Sequence, residues 1–153
     1  MFKLLLLTIV VLIPFVTHAE EISDFDIATY SLIKKDGRST GMLMRLSKVS
    51  DKWVMEGKEK GSNSPWKNIS CDTGCEYKAS TKIEHKTYLA LFPTITQKQF
   101  NISCIQNIAS AFCRLTKKDN PSKGGYTLIA LVTEKPVPLS LRRLTKPYPS
   151  KRK

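Results

Sequence analysis

Short stretches in which apolar and polar residues alternate follow one another along the chain, separated by turn-forming residues. In the stretch Gly41 to Val49, Met42 and Met44 stand at every second position, which places them on one face of a β-strand. The preceding stretch Phe25 to Lys34 is separated from it by Asp36-Gly37, a pair typical of a tight turn between antiparallel strands. The pattern therefore predicts a β-hairpin over this part of the chain.

Similar stretches continue along the chain, and each is short enough for a single strand. A short helix is predicted at Thr94 to Gln99 or at Ile105 to Ala111, and no window longer than about ten residues keeps a helical period. The predicted fold class is mostly β, a single antiparallel β-sandwich or small barrel-like domain with at most one or two short helices. The further strands are predicted at Lys52 to Glu56, Trp66 to Cys71, Lys86 to Phe92, Gln99 to Gln106, Phe112 to Leu115 and Tyr126 to Thr133, the last preceded by a loop from Lys117 to Gly125.

The chain begins with the pattern of a secretory signal peptide. Met1 to Lys3 is a short cationic start, Leu4 to Val16 is almost entirely apolar, and Thr17-His18-Ala19 offers small residues at the cleavage positions. The apolar run is shorter than the roughly 20 residues that span a membrane. We therefore expect cleavage after residue 19 and export to the periplasm or the medium, with no integral membrane segment in the mature protein.

The charge is strongly positive and unevenly distributed. The formal net charge is +12, and removal of residues 1–19 takes away only Lys3, which leaves +11. Residues 136–153 contain six basic residues and no acidic one, and prolines at 136, 138, 147 and 149 disfavour a regular strand or helix there. We therefore divide the chain into a signal peptide (1–19), a β-rich domain (20–135) and a basic, proline-containing tail (136–153).

All four cysteines lie in the predicted mature chain, at Cys71, Cys75, Cys104 and Cys113. An even number of cysteines in an exported protein is typical of disulfides, so two bridges are predicted. Local pairing, Cys71 with Cys75 and Cys104 with Cys113, is one of three connectivities that the spacing leaves open. Because no C-x-x-C spacing is present, neither zinc nor a redox-active pair is predicted, and no metal or other cofactor is expected.

Candidate catalytic groups are sparse. His85 is the one histidine beyond the predicted signal peptide, and its polar surroundings predict an exposed turn. No serine stands in a nucleophile motif, and the scattered carboxylates form no recognisable pair. We therefore predict no catalytic residue and no enzymatic activity, with a carboxylate-dependent hydrolase using Asp72 or Glu76 as a second alternative.

The segment from Pro65 to Tyr77 combines aromatic, basic and cysteine residues. A disulfide-closed loop there would present a rigid contact surface, although Trp66 and Tyr77 could instead belong to the core. The predicted binding residues are Trp66, Lys67, Asp72 and Tyr77 in this segment, and Arg142 and Arg143 near the C-terminus.

The function hypothesis is a small exported noncatalytic binding protein, a periplasmic inhibitor or immunity protein that blocks an envelope-targeted enzyme. The positive charge predicts a protein partner with an acidic surface or cleft. The first alternative is a cationic envelope module that binds anionic glycan or lipid. Nucleic acid is disfavoured as a partner, because export separates the protein from it and no aromatic platform accompanies the basic residues.

Overall fold

The computed structural model describes residues 21–69 and 76–144, which form nine strands and three short helical segments. The predicted signal peptide, the residues Cys71, Asp72 and Cys75, and residues 145–153 lie outside this description. In chain order the elements are a 3-10 helix (Asp24–Asp26), β1 (Ala28–Ile33), β2 (Ser39–Val49), β3 (Lys52–Glu59), β4 (Lys67–Asn68), β5 (Lys78–Ala79), α1 (Lys82–Leu89), α2 (Thr94–Gln99), β6 (Phe100–Gln106), β7 (Ser110–Lys117), β8 (Asn120–Ala130) and β9 (Val137–Arg143).

The nine strands form one antiparallel sheet in the order β4-β3-β2-β1-β9-β8-β7-β6-β5. Two meanders, β1 to β4 and β5 to β9, are joined where β9 pairs with β1. The sheet curls into a half-barrel. An isolated antiparallel bridge joins Trp53 of β3 to Tyr77, just before β5, so the two ends of the curled sheet approach each other. The predicted mostly β, antiparallel fold class is confirmed.

The concave face of the sheet encloses the larger core cluster. Tyr30 of β1, Phe112 of β7 and Tyr126 of β8 meet there with ring centroids 5.0 to 5.7 Å apart. Leu46 and Met55 from the other arm of the sheet are buried in the same cluster. Because aromatic pairs contribute about 0.5–1.5 kcal/mol beyond their buried area, these rings hold the two meanders together.

A second apolar cluster lies on β6, β7 and β8 and includes residues of the α1 region. Tyr88 of α1 packs there with Ile102, Ile129 and the bridged cysteines. Cys104 and Cys113 are cross-strand partners on β6 and β7 and are joined by a disulfide with an S–S distance of 2.04 Å. A disulfide of this kind contributes about 2–4 kcal/mol to stability. One of the two predicted bridges is therefore present among the described residues.

The strand predicted at Lys86 to Phe92 is wrong, because Lys86 to Leu89 belongs to helix α1 and residues 90–92 form a turn. Thr81 begins the helix as its N-cap: its side chain accepts the backbone N–H of Glu84, and the Glu84 carboxylate accepts the backbone N–H of Thr81. The helix predicted at Thr94 to Gln99 is confirmed as α2. Ile105 to Ala111 contains instead the turn between β6 and β7, where the Asn107 side chain accepts two backbone N–H groups.

The expectation that prolines prevent a regular strand after residue 135 is also wrong. Strand β9 runs from Val137 to Arg143 and lies between β1 and β8. Pro138 pairs with Ile129 of β8, whereas pairing with β1 begins only at Ser140. A proline lacks the N–H donor of a strand residue, and Pro138 occupies the part of β9 that has one neighbouring strand.

Candidate functional site

The aromatic residue predicted to anchor binding lies on the β2–β3–β4 arm of the sheet. Trp66 is half-buried, and its ring lies 4.7 Å from the Arg45 guanidinium and 5.6 Å from the Lys58 ammonium. Lys67, the next residue, is exposed at the start of β4, but it pairs with Gly57, so its side chain lies on the opposite face of the sheet from Glu56 and Lys58. We call Arg45, Glu56, Lys58 and Trp66 the Trp66 surface.

Two partners hold the Arg45 side chain of this surface in place. Its Nε and Nη2 donate to Glu56 Oε2 at 3.0 and 2.6 Å, and the two residues are cross-strand neighbours on β2 and β3. The Trp66 ring covers the guanidinium from another side. Ordering of this kind lowers the conformational entropy that a binding partner would have to remove. Two cations, Arg45 and Lys58, and one carboxylate leave the Trp66 surface positively charged.

Of the other predicted binding residues, Tyr77, Arg142 and Arg143 are not part of the Trp66 surface, and Asp72 lies outside the described residues. Tyr77 is buried, and its hydroxyl lies 2.5 Å from Ser110 Oγ, so it belongs to the core. Arg142 and Arg143 lie on β9, which β1 and β2 separate from β3. Arg142 is exposed and donates to the Gly37 carbonyl at 3.0 Å.

A cleft of about 520 Å³ lies between Phe25 of the 3-10 helix, the C-terminal end of β7 and the N-terminal part of β8. We call it the arginine cleft because two guanidinium groups line it. Its lining comes from three parts of the chain that are far apart in sequence, namely Phe25, the β7–β8 hairpin and Arg143, so the alternation pattern contains no sign of it. The residues lining the cleft are Phe25, Arg114, Leu115, Thr116, Pro121, Ser122, Lys123, Gly124, Gly125, Tyr126 and Arg143.

A buried ion pair anchors Arg114 beside the cleft. Arg114 Nη1 donates to both carboxylate oxygens of Asp26, at 3.0 and 3.1 Å. The same carboxylate accepts the backbone N–H of Ser23 at 2.8 Å and the hydroxyl of Tyr126 at 3.0 Å. Asp26 is completely buried and Arg114 is 7 % exposed. The pair therefore ties the N-terminal segment to the middle of the sheet.

Arg143 forms a second cationic group of the cleft. Its Nη1 donates to the Tyr126 hydroxyl at 3.0 Å, and its Nη2 donates to the Phe25 carbonyl at 2.5 Å. The Phe25 ring centroid lies 4.9 Å from its guanidinium carbon. Burial, followed by the nearby Asp26 carboxylate, raises the pKa of Tyr126, which therefore stays a neutral hydrogen-bond donor.

The position of His85 differs from the predicted exposed turn. It lies half-buried on α1, and its Nε2 accepts the backbone N–H of Cys104 at 3.1 Å. Burial lowers the pKa of His85 and favours the neutral ring that this hydrogen bond requires. The neighbouring Glu84 carboxylate accepts from Thr81 and from the Gln106 amide. Both ionisable side chains thus hold structural hydrogen bonds.

The signal for the cleft was present in the sequence at one position. Arg114 interrupts the otherwise apolar run Ala111 to Leu115, and a charge within a buried strand requires a partner. Its partner Asp26 is 88 residues away in sequence, so only the fold identifies it. Within residues 21–69 and 76–144, no group of three or more His, Cys, Asp or Glu side chains could hold a metal ion.

No protein-family model, curated protein or solved structure matches this chain. In the part of the chain that the structure describes, no helix is both long enough and apolar enough to cross a membrane. Function is therefore inferred from the geometry and charge of the Trp66 surface and the arginine cleft.

Proposed function

We propose that this chain is a small exported binding protein, without catalytic activity, that inhibits an envelope-targeted enzyme by covering an acidic surface or cleft of that enzyme. The observation that carries this proposal is the Trp66 surface. Its arginine, its carboxylate and its lysine lie on the neighbouring strands β2 and β3 of a disulfide-bridged domain, and its tryptophan directly precedes β4.

The residue types of the Trp66 surface are those that dominate protein interfaces. Tryptophan and arginine are enriched among residues that contribute most to binding energy. Here the Trp66 ring and the Arg45 guanidinium are already stacked, so docking a partner would order few side chains. The net positive charge would accelerate encounter with an acidic partner.

The structural use of the ionisable groups supports a noncatalytic role. His85 accepts a hydrogen bond from a backbone N–H, and the Asp26 carboxylate accepts hydrogen bonds from Arg114, Ser23 and Tyr126. Glu76, a candidate for hydrolase chemistry, forms a surface ion pair with Lys52 at 2.9 Å. A general acid or base needs a proton it can exchange with a substrate, and these groups are engaged elsewhere.

The test is affinity capture from envelope and secreted fractions with the protein comprising residues 20–153. The variant carries Lys58→Glu, and the matched control carries the same charge change at exposed Lys98. We expect one stoichiometric protein to bind the unaltered chain and the control, and to bind the Trp66-surface variant at least about tenfold more weakly, because like charges would face each other. The captured enzyme should lose activity in a purified assay when the chain is added.

A second arm of the experiment separates the alternatives. A chain ending at Leu144 removes residues 145–153 and keeps all nine described strands, whereas ending at Ser140 would cut β9. Retention only of anionic lipid or glycan, abolished by high salt and by this truncation, would contradict the inhibitor proposal and favour the cationic envelope module. Hydrolysis lost in Glu76→Gln with the fold intact would favour the hydrolase.

A further inference from the structure

We propose that the arginine cleft is a binding site for a small organic anion, one that carries a carboxylate, sulfonate or phosphate group on an aromatic or aliphatic body. This inference is independent of the inhibitor proposal, because the cleft lies on β7, β8 and β9 and shares no residue with the Trp66 surface.

The charge of the lining favours an anion. Three cationic side chains, Arg114, Lys123 and Arg143, line the cleft, and no carboxylate of the described residues does. The Asp26 carboxylate behind Arg114 compensates one of these charges, which leaves a net positive cleft. Lys123 is an exposed residue of β8, so its ammonium group can move toward a bound anion. The two guanidinium groups are instead held by protein contacts. An anion entering the cleft would therefore meet fixed positive charge and one mobile ammonium group.

The apolar part of the lining favours an organic body attached to that anion. Phe25 lies at the edge of the cleft beside the Arg143 guanidinium, and it stays 53 % exposed and able to contact an organic body. Pro121 and the ring of Tyr126 supply further apolar surface. A volume of about 520 Å³ is within the range of pockets that bind small organic molecules. An inorganic ion would leave most of this surface unused.

The cleft is ordered before any ligand enters. Arg143 is held by hydrogen bonds to Tyr126 and Phe25 and stacks on the Phe25 ring, while Arg114 is fixed by buried Asp26. Positioned donors and rings reduce the entropy lost on binding. The cleft thus has the few placed polar groups and the apolar lining that are typical of small-molecule sites.

The experiment is isothermal titration of the protein comprising residues 20–153 with naphthalene-1-sulfonate, its neutral analogue naphthalene-1-sulfonamide and, as an aliphatic anion, octanoate. We expect saturable one-to-one binding of the sulfonate and of octanoate, with the sulfonamide at least about tenfold weaker because it lacks the charge. Lys123→Glu and Phe25→Ala should each weaken sulfonate binding about five- to tenfold. The matched controls, Lys98→Glu and Val132→Ala, change an exposed lysine and an exposed valine elsewhere and should leave it unchanged.

Unfolding midpoints of the four variants should match the unaltered protein, because each substitution is at an exposed side chain. Amide shifts of Gly124 and Gly125 in an NMR titration should move with sulfonate and not with sulfonamide. The proposal is overturned if the neutral analogue binds as tightly, if the cleft variants bind like the controls, or if no saturable binding occurs at millimolar sulfonate.

Discussion

Asp26 and Arg114 differ from every other ion pair between described residues in that both side chains are buried. The attraction between the two charges offsets the free-energy cost of burying each of them. Ser23 and Tyr126 donate hydrogen bonds to the remaining lone pairs of the carboxylate. Exposed pairs such as Asp36 with Arg38 exchange their partner for water at little cost. Loss of one member of the buried pair therefore has a different consequence from loss of a surface pair.

We expect Asp26→Ala to lower the free energy of unfolding by about 3–5 kcal/mol, because Arg114 is left as an uncompensated buried charge. Urea denaturation measures this change, with Asp36→Ala as the surface control that should differ little from the unaltered protein. Arg114→Met should be comparably destabilising, and the double variant should cost less than the sum of the two. Simple additivity would contradict a direct pair.

His85 makes stability depend on pH near neutrality. Its pKa in the folded protein is lowered by burial, whereas in the unfolded chain it is near 6.5. As pH falls through about 7 to 5, the unfolded state binds the proton more readily, so the free energy of unfolding falls. Protonation of Nε2 would also break the hydrogen bond from the Cys104 N–H. The contribution of His85 is present above the unfolded pKa and lost below it.

We therefore expect the urea midpoint of the unaltered protein to decrease between pH 7.5 and 5.5 more steeply than that of His85→Gln. Glutamine offers an amide oxygen that can accept the same N–H and does not titrate. Carboxylates whose pKa is lowered in the folded protein, Glu84 and Glu76 among them, lose their stabilising contribution only as the pH falls below about 4.5, outside the pH range of this comparison. Parallel pH profiles would contradict this role of His85.

At the scale of elements, the β7–β8 hairpin depends on a glycine that lies close to the neighbouring strand. A Cβ built on Gly124 would lie 1.9 Å from the Leu115 carbonyl oxygen and 2.9 Å from its carbon. The β7–β8 register shifts between Thr116 and Lys117, beside this contact. The backbone of the hairpin, which also lines the arginine cleft, would have to move to accept any side chain there.

We expect Gly124→Ala to destabilise the protein by about 1–3 kcal/mol, the range for forcing a methyl group into an occupied space. Gly125→Ala is the matched control, because a Cβ there meets nothing within 4 Å. Alanine also reduces the conformational entropy of the unfolded chain, which offsets a small cost in the folded state. Thermal unfolding of the two variants compares them directly. Equal midpoints would show that the close approach at Gly124 contributes nothing to stability.

Two elements show where sequence patterns mislead. Lys86 to Phe92 has the composition of a strand, yet the capping residues Thr81 and Glu84 begin a helix that includes most of it and packs Tyr88 on the sheet. Val137 to Arg143 contains Pro138 and directly follows Pro136, as a loop would, yet Leu141 is buried in the core and the strand joins the two meanders. In both segments tertiary packing outweighs local preference, because the buried residue contributes more than the propensity of its neighbours.

At the scale of the whole molecule, the curl of the sheet determines which surfaces exist. The first meander carries the Trp66 surface and the second carries the arginine cleft, on opposite sides of the β1–β9 junction. Both are cationic, as the net charge of the chain predicts, but they differ in shape. The Trp66 surface is an open face of the sheet, whereas the arginine cleft is a partly enclosed pocket. A protein partner suits the first and a small anion suits the second, so the two proposals can be tested separately.

The amino-acid sequence by itself determined the strand-rich fold class, the hairpin at Asp36-Gly37, the helix at Thr94–Gln99 and the excess of positive charge, because alternation, turn residues and charge are local or additive properties. Only the tertiary structure decided that Cys104 pairs with Cys113, that Tyr77 is core and that Asp26 meets Arg114. It also decided that Phe25, Lys123 and Arg143 share a cleft. Such contacts join residues far apart along the chain, and their partners depend on strand order and register, which no local pattern specifies.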